Sequence, residues 1–352
     1  MSLKTQLSLQ DFTIDEWQDI VVAWGYPKFR AKQIFTCAMQ AKSFDEITNL
    51  PKDLIAKLKE NYLDNSIKIL ETLVSKDGTE KYLFKLVDGN IIEGVYMPHN
   101  YGATLCVSTQ VGCRMNCSFC ASSLNGLIRN LTCGEILGQV LVVNAKFNGT
   151  IKERAITNVV LMGSGEPFDN FDNVVKFLKM ISSPDGINMS LRNVSLSTCG
   201  LSDKIEEFAT MNLPVTLTIS LHAADNEKRS RLMPVNNTFN IARVIESAKY
   251  YFKQTGRRII FEYSLIEGEN CNKESAYKLA KLLRGIPCHV NLINLNYVKE
   301  RGLRGVGKDT IKEFMETLDK ENISNTLRRS MGNDIEGACG QLRNKYLEDN
   351  KD

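Results

Sequence analysis

The fold and the chemistry of this chain are decided by the stretch Val111-Gly-Cys-Arg-Met-Asn-Cys-Ser-Phe-Cys-Ala121. Its cysteines, Cys113, Cys117 and Cys120, have C-x₃-C-x₂-C spacing. Three thiolates in this order bind three irons of a cubane iron–sulfur cluster, and the fourth iron keeps an open position for a substrate. Clusters that only transfer electrons usually have four cysteine ligands. The spacing therefore predicts a [4Fe-4S] cluster at which chemistry takes place.

A structural zinc site is the alternative for these cysteines. Such sites normally have four ligands of the Cys₄ or Cys₃His type. The histidines of the chain are His99, His222 and His289, and none of them lies near the three cysteines in sequence. Buried free thiols are a second alternative. The spacing and the aromatic Phe119 before the last cysteine resemble the cluster loop of radical S-adenosylmethionine enzymes, and this resemblance favours the cluster.

Length and composition predict a large α/β domain with an accessory segment, or two domains. The chain has 352 residues, of which 43% are hydrophobic, and this is enough for a large core. No apolar run approaches the roughly 20 residues of a membrane span, and the polar N-terminus lacks the apolar segment of a signal peptide. Ten cysteines in such a chain are more often metal ligands or catalysts than disulfides. We therefore expect a cytoplasmic protein without membrane contact.

The charge of the chain is informative only locally. A net charge of +3 is too small to indicate a nucleic-acid partner. Basic residues cluster at Arg257-Arg258, in the loop 299–308 and at Arg328-Arg329. Phosphate contacts need such clusters, although solvated surface charge explains each one equally well.

Hydrophobic periodicity divides the chain into a helical start, a strand meander and a long alternating region. Residues 10 to about 65 have helical periodicity, and residues 68–98 alternate like strands, with turns at Asp77-Gly78 and Asp88-Gly89. Six strands then alternate with six helices. The predicted strands are 104–109, 157–162, 192–198, 214–220, 258–264 and 288–294, and the predicted helices are 133–147, 171–182, 201–210, 239–254, 272–284 and 308–320.

This alternation predicts an α/β fold with a partial (β/α)₆ TIM-like barrel, since a full barrel would have two more units. We expect a helical accessory domain at 1–66, a β-extension at 67–100, the barrel core at 101–300 and a C-terminal segment at 301–352. Active sites of βα barrels form from the loops at the carboxyl ends of the strands. The cysteine loop follows the first barrel strand, so we expect the site there.

Further motifs follow other strands of the predicted barrel. The second strand leads into Met162-Gly-Ser-Gly-Glu-Pro-Phe168, where Gly165 allows close backbone approach and Glu166 offers a carboxylate for an ammonium group. Each motif alone is more often a turn or a satisfied polar group. Together with the cysteine loop they predict cofactor contacts, and the remaining candidates are Ser197, Ser220, Leu221, His222 and Asn296.

Two more cysteines have no role that the residue pattern alone assigns. Cys106 lies on the first barrel strand, seven residues before Cys113, and Cys339 lies in a glycine-rich segment near the C-terminus. Free cysteines are commonly buried as small hydrophobic residues.

At this point the chain resembles the radical S-adenosylmethionine (SAM) RNA methyltransferases that methylate C2 of adenine in 23S rRNA and in certain tRNAs. The resemblance extends over nearly the whole chain, so the barrel is expected to be of the radical-SAM type. The matching motifs are Tyr26-Pro-Lys-Phe-Arg-Ala-Lys-Gln33, Ile92-Glu-Gly-Val-Tyr-Met-Pro98, Cys106-Val-Ser-Thr-Gln-Val-Gly-Cys113, Arg129-Asn-Leu-Thr132, Phe261-Glu-Tyr263 and Asn333-Asp-Ile-Glu-Gly-Ala-Cys-Gly-Gln-Leu342. Ser164 and Phe168 differ from the common family residues, methionine and leucine, without removing an expected ligand.

The resemblance implies a mechanism that uses two SAM molecules per turnover. Cys339 takes a methyl group from the first and becomes S-methylcysteine. The second binds the open iron of the cluster and yields a radical that abstracts hydrogen from this methyl group, and the carbon radical adds to C2 of adenine. Glu93 matches the family's proton acceptor. Cys106 matches the thiol that attacks Cys339 and releases the product through a transient disulfide, which a cytosolic protein can use catalytically.

The resemblance also implies partners. They are 23S rRNA, tRNA and an electron donor such as flavodoxin, and we expect the protein to act as a monomer. The target base must leave its stack to reach a buried radical, and the helical domain and the loop 299–308 are the candidates for holding the RNA.

Two rival functions remain open from the sequence. The related resistance-type enzymes methylate C8 of the same rRNA adenine with the same five functional cysteines, although the cysteine loop and Gly165-Glu166-Pro167 are more similar to the C2 group. The other rival is a non-catalytic RNA-binding iron–sulfur or zinc protein, which would need neither Glu166 nor the pair Cys106 and Cys339.

Overall fold

The chain folds around a mixed β-sheet with helices before it and between its strands. The computed structural model describes residues 6–335 together with Leu342 and Tyr346. In these residues the strands are β1 (Ile67–Val74), β2 (Glu80–Leu86), β3 (Ile91–His99), β4 (Gly102–Cys106), β5 (Gln110–Gly112), β6 (Leu127–Asn130), β7 (Asn158–Leu161), β8 (Val194–Thr198), β9 (Thr216–Ser220), β10 (Ile259–Leu265), β11 (Cys288–Asn294) and β12 (Asn325–Leu327). The helices are α1 (Ile14–Ala23), α2 (Phe29–Met39), α3 (Lys52–Asn61), α4 (Cys133–Lys146), α5 (Phe171–Ile181), α6 (Ser202–Thr210), α7 (Asn226–Leu232), α8 (Ile241–Thr255), α9 (Lys273–Leu283) and α10 (Lys308–Lys320).

The second half of the sheet is parallel, as expected for consecutive βα units. Its strands follow chain order, β4-β7-β8-β9-β10-β11-β12, and each neighbouring pair is parallel. In the described part of the chain the strand order is open, running from β1 at one edge to β12 at the other. The predicted α/β fold is confirmed, and the six predicted barrel strands are all present.

The strand meander continues the same sheet rather than forming a separate one. Strand β2 is antiparallel to both β1 and β3, and β3 is antiparallel to β4, where Val95 pairs with Cys106. The two predicted turns contain Gly78 and Gly89, whose φ values of 83° and 85° suit glycine. This arrangement brings Glu93 on β3 beside the first barrel strand.

The N-terminal helices pack against the barrel through helix α4. The carboxylate of Asp11 accepts a hydrogen bond of 2.7 Å from the backbone N–H of Gly134, in the first turn of α4. This is the helix end at which a negative charge is favourable. Ser66 donates to the carbonyl of Gly134 at 3.0 Å. One continuous hydrophobic core, from Leu9 through Ile323, includes residues of both parts.

Three short elements add to the predicted set. Strands β5 and β6 form a two-stranded hairpin on either side of the cysteine loop. Helix α7 lies between β9 and α8, and β12 adds a seventh parallel strand of three residues. The first two of these elements shape the loop described next.

Candidate active site

The three cysteines of the cluster motif lie in a loop that hydrogen bonds hold at its start and in its middle. At the start, the Cys113 N–H donates to the carbonyl of Gly126 at 3.0 Å, next to the β5–β6 hairpin. In the middle, the Ser118 N–H donates to the carbonyl of Leu232, at the end of α7, at 2.9 Å. The thiols of Cys113, Cys117 and Cys120 all line one cavity of about 280 Å³. The structure therefore brings together the three predicted ligands.

The thiols of Cys113 and Cys117 are buried, and their ionisation depends on a bound metal centre. Burial raises the pKa of the Cys113 thiol to about 12 and that of Cys117 well above its usual value, so a bound metal is needed to hold them as thiolates. Among the described residues, no three His, Cys, Asp or Glu side chains form a group that can hold a metal ion. In a cubane each thiolate binds a different iron, so the three sulfurs need not converge on one point.

A glycine-rich turn after β7 forms another wall of the cavity. Gly165 has φ +112°, and a Cβ there would lie 2.7 Å from the Cβ of Gln110. A Cβ on Gly163 would lie 2.7 Å from the carbonyl oxygen of Val107. Only glycine lets this turn lie flat against the strand ends, and both glycines line the cavity.

The carboxylate of Glu166 is buried in the cavity wall and held by backbone donors. It accepts hydrogen bonds from the N–H of Cys199 at 2.7 Å and from the N–H of Phe168 at 3.0 Å. Burial raises the pKa of this carboxyl group, although these hydrogen bonds act against the shift. A ligand ammonium group would offset the desolvation, since an opposite charge favours the ionised form. Glu166 is thus suited to the amino group of SAM.

His222 is neutral and fixed in one orientation. Burial lowers the pKa of its imidazole to about 3. Its Nδ1 accepts a hydrogen bond of 2.9 Å from the Ser264 N–H, so the ring proton lies on Nε2. Its backbone has φ +54°, a conformation that costs energy in a residue other than glycine and is common at functional sites. Its ring lies edge-on to Phe119, with the centroids 4.8 Å apart.

The other predicted cofactor contacts divide into two groups. Ser197 and Ser220 line the cavity, and their hydroxyl oxygens lie 3.4 Å apart. Asn296 lines it as well. The side chain of Leu221 is fully buried in the hydrophobic core and is not among the residues that line the cavity.

Two charged residues that the sequence did not single out as site residues also line the cavity. Glu262 on β10 accepts a hydrogen bond from Ser197 at 3.2 Å through one oxygen, while its other oxygen has no hydrogen-bond partner in the described part of the protein. The guanidinium of Arg328 lies 3.7 Å from that second oxygen. The sequence could have indicated Glu262 as a site residue, because it is a carboxylate within the otherwise largely apolar strand Ile259–Leu265. Arg328 was noted only as part of a basic pair.

A second cavity of about 170 Å³ adjoins the first. Cys106 lines it from β4, together with Arg329. Ile293, Asn296 and Arg328 line both cavities, so the two share a wall. A group in the second cavity would therefore lie next to a cofactor bound in the first.

Glu93 lies near Cys106 and is paired with a buried lysine. Glu93 and Cys106 line a small cavity, together with Gly163. The Lys81 ammonium lies 3.6 Å from the Glu93 carboxylate, and both side chains are almost fully buried. Such a buried ion pair adds little stability compared with apolar residues of similar volume.

Two further observations concern Cys339 and the helices of the protein. Cys339 lies outside the described residues, so its predicted pairing with Cys106 is not described either. Within the described residues, none of the helices has the length and hydrophobicity needed to span a membrane.

Comparisons with known proteins place the chain in a family. The model of the radical SAM superfamily matches residues 107–283. A probable dual-specificity RNA methyltransferase RlmN of Clostridium novyi is 47% identical over 97% of this chain and 99% of its own length. The corresponding protein of Clostridium perfringens is 48% identical over 97% of this chain and 98% of its own.

A solved structure agrees with the fold and with the class of enzyme. The crystal structure of a radical SAM methyltransferase from Sphaerobacter thermophilus matches with a TM-score of 0.91 and 39% identity, over 95% of this chain and 98% of that one. The superfamily implies SAM and a [4Fe-4S] cluster, for which the first cavity has the three thiols and the polar wall. The chain therefore belongs to the radical SAM superfamily and, within it, to the family of the RlmN-type dual-specificity RNA methyltransferases.

Proposed function

We propose that this enzyme methylates C2 of adenine in 23S rRNA and in tRNA. The curated relatives at 46–48% identity are named dual-specificity RNA methyltransferases, which supports RNA substrates of two classes. The cysteine loop and Gly165-Glu166-Pro167, which are more similar to the C2 group than to the C8 group, support the C2 position. The protein then acts in the cytoplasm as a monomer that receives electrons from a donor such as flavodoxin.

The first cavity holds the cofactors. Cys113, Cys117 and Cys120 hold the [4Fe-4S] cluster. When bound, the cluster supplies one electron to SAM, and SAM supplies the methyl group and a carbon radical, two molecules being used per turnover. The contacts proposed for SAM are Gly165, Glu166, Ser197, Ser220, Leu221, His222 and Asn296.

Three residues of the chain carry the later steps. Cys339 carries the methyl carbon as a thioether and becomes bonded through it to C2 of the adenine. The carboxylate of Glu93 accepts the proton that leaves C2, and the unpaired electron of the adduct would return to the cluster. The thiolate of Cys106 attacks the sulfur of Cys339, so that a disulfide forms, the carbon–sulfur bond breaks, and the carbon keeps the electron pair and takes up a proton.

The observation that carries this proposal is the meeting of Glu93 and Cys106 beside the cofactor cavity. The two residues lie on neighbouring strands and line one small cavity with Gly163, and Gly163 also lines the cofactor cavity. A base that accepts a proton and a thiol that resolves an intermediate must both lie within reach of the reacting carbon.

The chain on both sides of Cys339 is attached to the meander that carries Glu93. Before it, the Gly332 N–H donates to the carboxylate of Asp77 at 3.0 Å. After it, Leu342 is buried against Leu83 and Ile91. These contacts lie seven residues before and three residues after Cys339, so the meander that carries Glu93 also holds the chain near this cysteine in sequence.

We propose that RNA approaches along the loop after β11. Tyr297 is half exposed, and the Arg304 guanidinium lies 5.4 Å from the centre of its ring. Such aromatic and basic groups contact bases and phosphates. Arg301 donates to the hydroxyl of Ser123 at 2.9 Å, which connects this loop to the cluster loop. Residues 1–66 form the second proposed RNA contact, where the exposed Phe29 has the Arg30 guanidinium 4.7 Å from its ring centre.

The resolving role of Cys106 provides the test of this function. If Cys106 is replaced by alanine, the bond between Cys339 and the methylated adenine is not broken, so a covalent protein–RNA adduct accumulates. Denaturing gel analysis after anaerobic turnover with a 23S rRNA fragment, followed by digestion and mass spectrometry, measures it. The variant Cys271→Ala, which removes a thiol outside the two cavities, is the control. Normal product release by Cys106→Ala would contradict the proposal.

A further inference from the structure

The side chain of Arg229 on α7 is buried without a negatively charged partner. It is 0% exposed. Its guanidinium donates to five acceptors, all of them uncharged: the carbonyl oxygens of Leu221, Cys199, Ser220 and Phe239 and the amide oxygen of Asn236, at 2.7–3.3 Å. Among the described residues no carboxylate forms an ion pair with it. These hydrogen bonds satisfy the guanidinium but do not neutralise its charge, so a nearby anion in this buried environment would interact with it strongly.

The cluster loop lies next to this arginine. The last residue of α7, Leu232, accepts the hydrogen bond from Ser118, which stands between Cys117 and Cys120. Desolvation lowers the pKa of Arg229, and negative charge on the Cys199 and Cys117 thiols would raise it again. The arginine is therefore within electrostatic reach of a proposed cluster ligand.

The side chains between Arg229 and the cluster site are apolar and screen electrostatic interactions only weakly. Cys117 and Cys199 pack in a small apolar cluster with Ala223, Leu232, Met233 and Ile266. Charges separated by apolar side chains interact much more strongly than charges separated by water. The three thiolates make the cluster site negative, and its one-electron reduction adds a further negative charge.

We propose that Arg229 supplies the fixed positive charge that balances the cluster and raises its reduction potential. This inference rests on the cluster site of the proposed function and not on the RNA substrate. Arg229 makes the acceptance of the electron more favourable, since reduction potentials of clusters depend on nearby charge. In the same way, the bound cluster supplies the anion that the buried guanidinium lacks.

Three variants separate the charge of Arg229 from its packing. Arg229→Met removes the charge. Arg229→Lys keeps the charge and loses most of the hydrogen bonds. Asn236→Asp keeps Arg229 and places a carboxylate on it, since the Asn236 amide oxygen already accepts from Arg229 at 3.0 Å. The control is Asn144→Asp, a buried asparagine that accepts from the Ala155 N–H before β7, at the opposite end of the strands from the cluster.

The measurement is an anaerobic potentiometric titration of the reconstituted full-length protein with dithionite and mediators, followed by electron paramagnetic resonance without SAM or RNA. We expect Arg229→Met and Asn236→Asp each to lower the equilibrium constant for reduction at least tenfold, about 59 mV for a one-electron couple. We expect Arg229→Lys and Asn144→Asp to stay near the wild-type potential.

Several outcomes would overturn the proposal. One is a wild-type potential in Asn236→Asp with full iron and sulfide content, and this variant decides alone if Arg229→Met does not assemble a cluster. Another is an equal fall in Arg229→Met and Arg229→Lys, which would assign the effect to packing. Iron and sulfide analysis of the wild type distinguishes failure of this inference from failure of the proposed function. Wild-type protein that binds no cluster would contradict the proposed function itself.

Discussion

Glu166 shows how one carboxylate can be both buried and ready for a cationic ligand. Two backbone N–H groups hold it in the cavity wall. We predict that Glu166→Gln lowers the affinity for SAM tenfold or more, because the ion pair with the ammonium group is lost and an amide NH₂ is turned toward a backbone donor. Equilibrium dialysis of labelled SAM against the reconstituted protein measures this. Glu207→Gln, on an exposed helical pair with Lys204, should bind SAM like the wild type.

The buried pair of Lys81 and Glu93 gives a second prediction at the scale of residues. Lys81→Met leaves a buried carboxylate without its cation, so we expect the free energy of unfolding to fall by about 3–5 kcal/mol. The double variant with Glu93→Gln should recover most of this loss. Urea unfolding measures both, and Lys59→Met in the exposed pair with Asp45 should cost at most about 1 kcal/mol. If Lys81→Met alone changes the free energy of unfolding by less than about 1 kcal/mol, Lys81 does not stabilise the buried Glu93 carboxylate.

Individual residues differed in how well their positions could be predicted. Cys113, Cys117 and Glu166 belong to motifs with fixed spacing after a strand, and the barrel brings such positions to one edge. Glu262 and Arg229 are single charges within a strand and a short helix. Their sequence neighbours do not indicate which carbonyls, hydroxyls or cavities they meet, because those partners are distant in the chain.

At the scale of elements, the β1–β2 turn holds the segment that leads to Cys339. Asp77 accepts from the Gly332 N–H, and Asp334 accepts from Ser75 and from the Lys76 N–H. We predict that Asp77→Asn and Asp334→Asn increase hydrogen exchange at Gly332 and Lys76 at neutral pH. Mass spectrometry of peptides covering the turn and residues 331–335 measures this. Asp309→Asn at the start of α10 is the control, and unchanged exchange in both variants would show that the turn does not hold the segment.

The same contacts predict a pH dependence. Hydrogen bonds from Thr79 and from Ser75, respectively, lower the pKa values of Asp77 and Asp334 below the ordinary value of 3.8. A lowered pKa means that the attachment is fully present above pH 3.8 and is lost as the pH falls through the lowered values. Exchange at Gly332 should therefore be constant from pH 5 to 8, after correction for the intrinsic rate, and should rise only under acidic conditions. A change near pH 6 would contradict this.

Elements also show why part of the fold escaped prediction. The long helices and core strands have clear apolar periodicity, so all six predicted barrel strands and the helices between them are present. Helix α7 has seven residues and is rich in charge, and β12 has three residues. Both depend on tertiary contacts, since β12 is held by pairing with β11 and α7 by the contacts of Arg229. Short elements of this kind have too little periodicity to detect.

At the scale of the whole molecule, the attachment of the N-terminal helices to the barrel depends on a close contact at Gly134. A Cβ there would lie 2.6 Å from the Asp11 carboxylate and 2.6 Å from the Ser8 hydroxyl, both buried. We predict that Gly134→Ala lowers the free energy of unfolding by about 1–3 kcal/mol, although alanine is the better helix former. Thermal unfolding measures this. Gly307→Ala, which meets no atom within 4 Å, should change stability by less, and equal effects would contradict the close contact.

The fold joins a cofactor cavity, a second cavity and a meander in one sheet. The function proposed for this arrangement is methylation of adenine at C2. The most direct test supplies reconstituted enzyme with reductant, methyl-labelled SAM and a 23S rRNA fragment or a tRNA, and identifies the product nucleoside by mass spectrometry. The account predicts label in 2-methyladenosine from both RNAs, and none with Cys339→Ala. Label in 8-methyladenosine, or an intact cluster that cleaves SAM without methylating RNA, would contradict it.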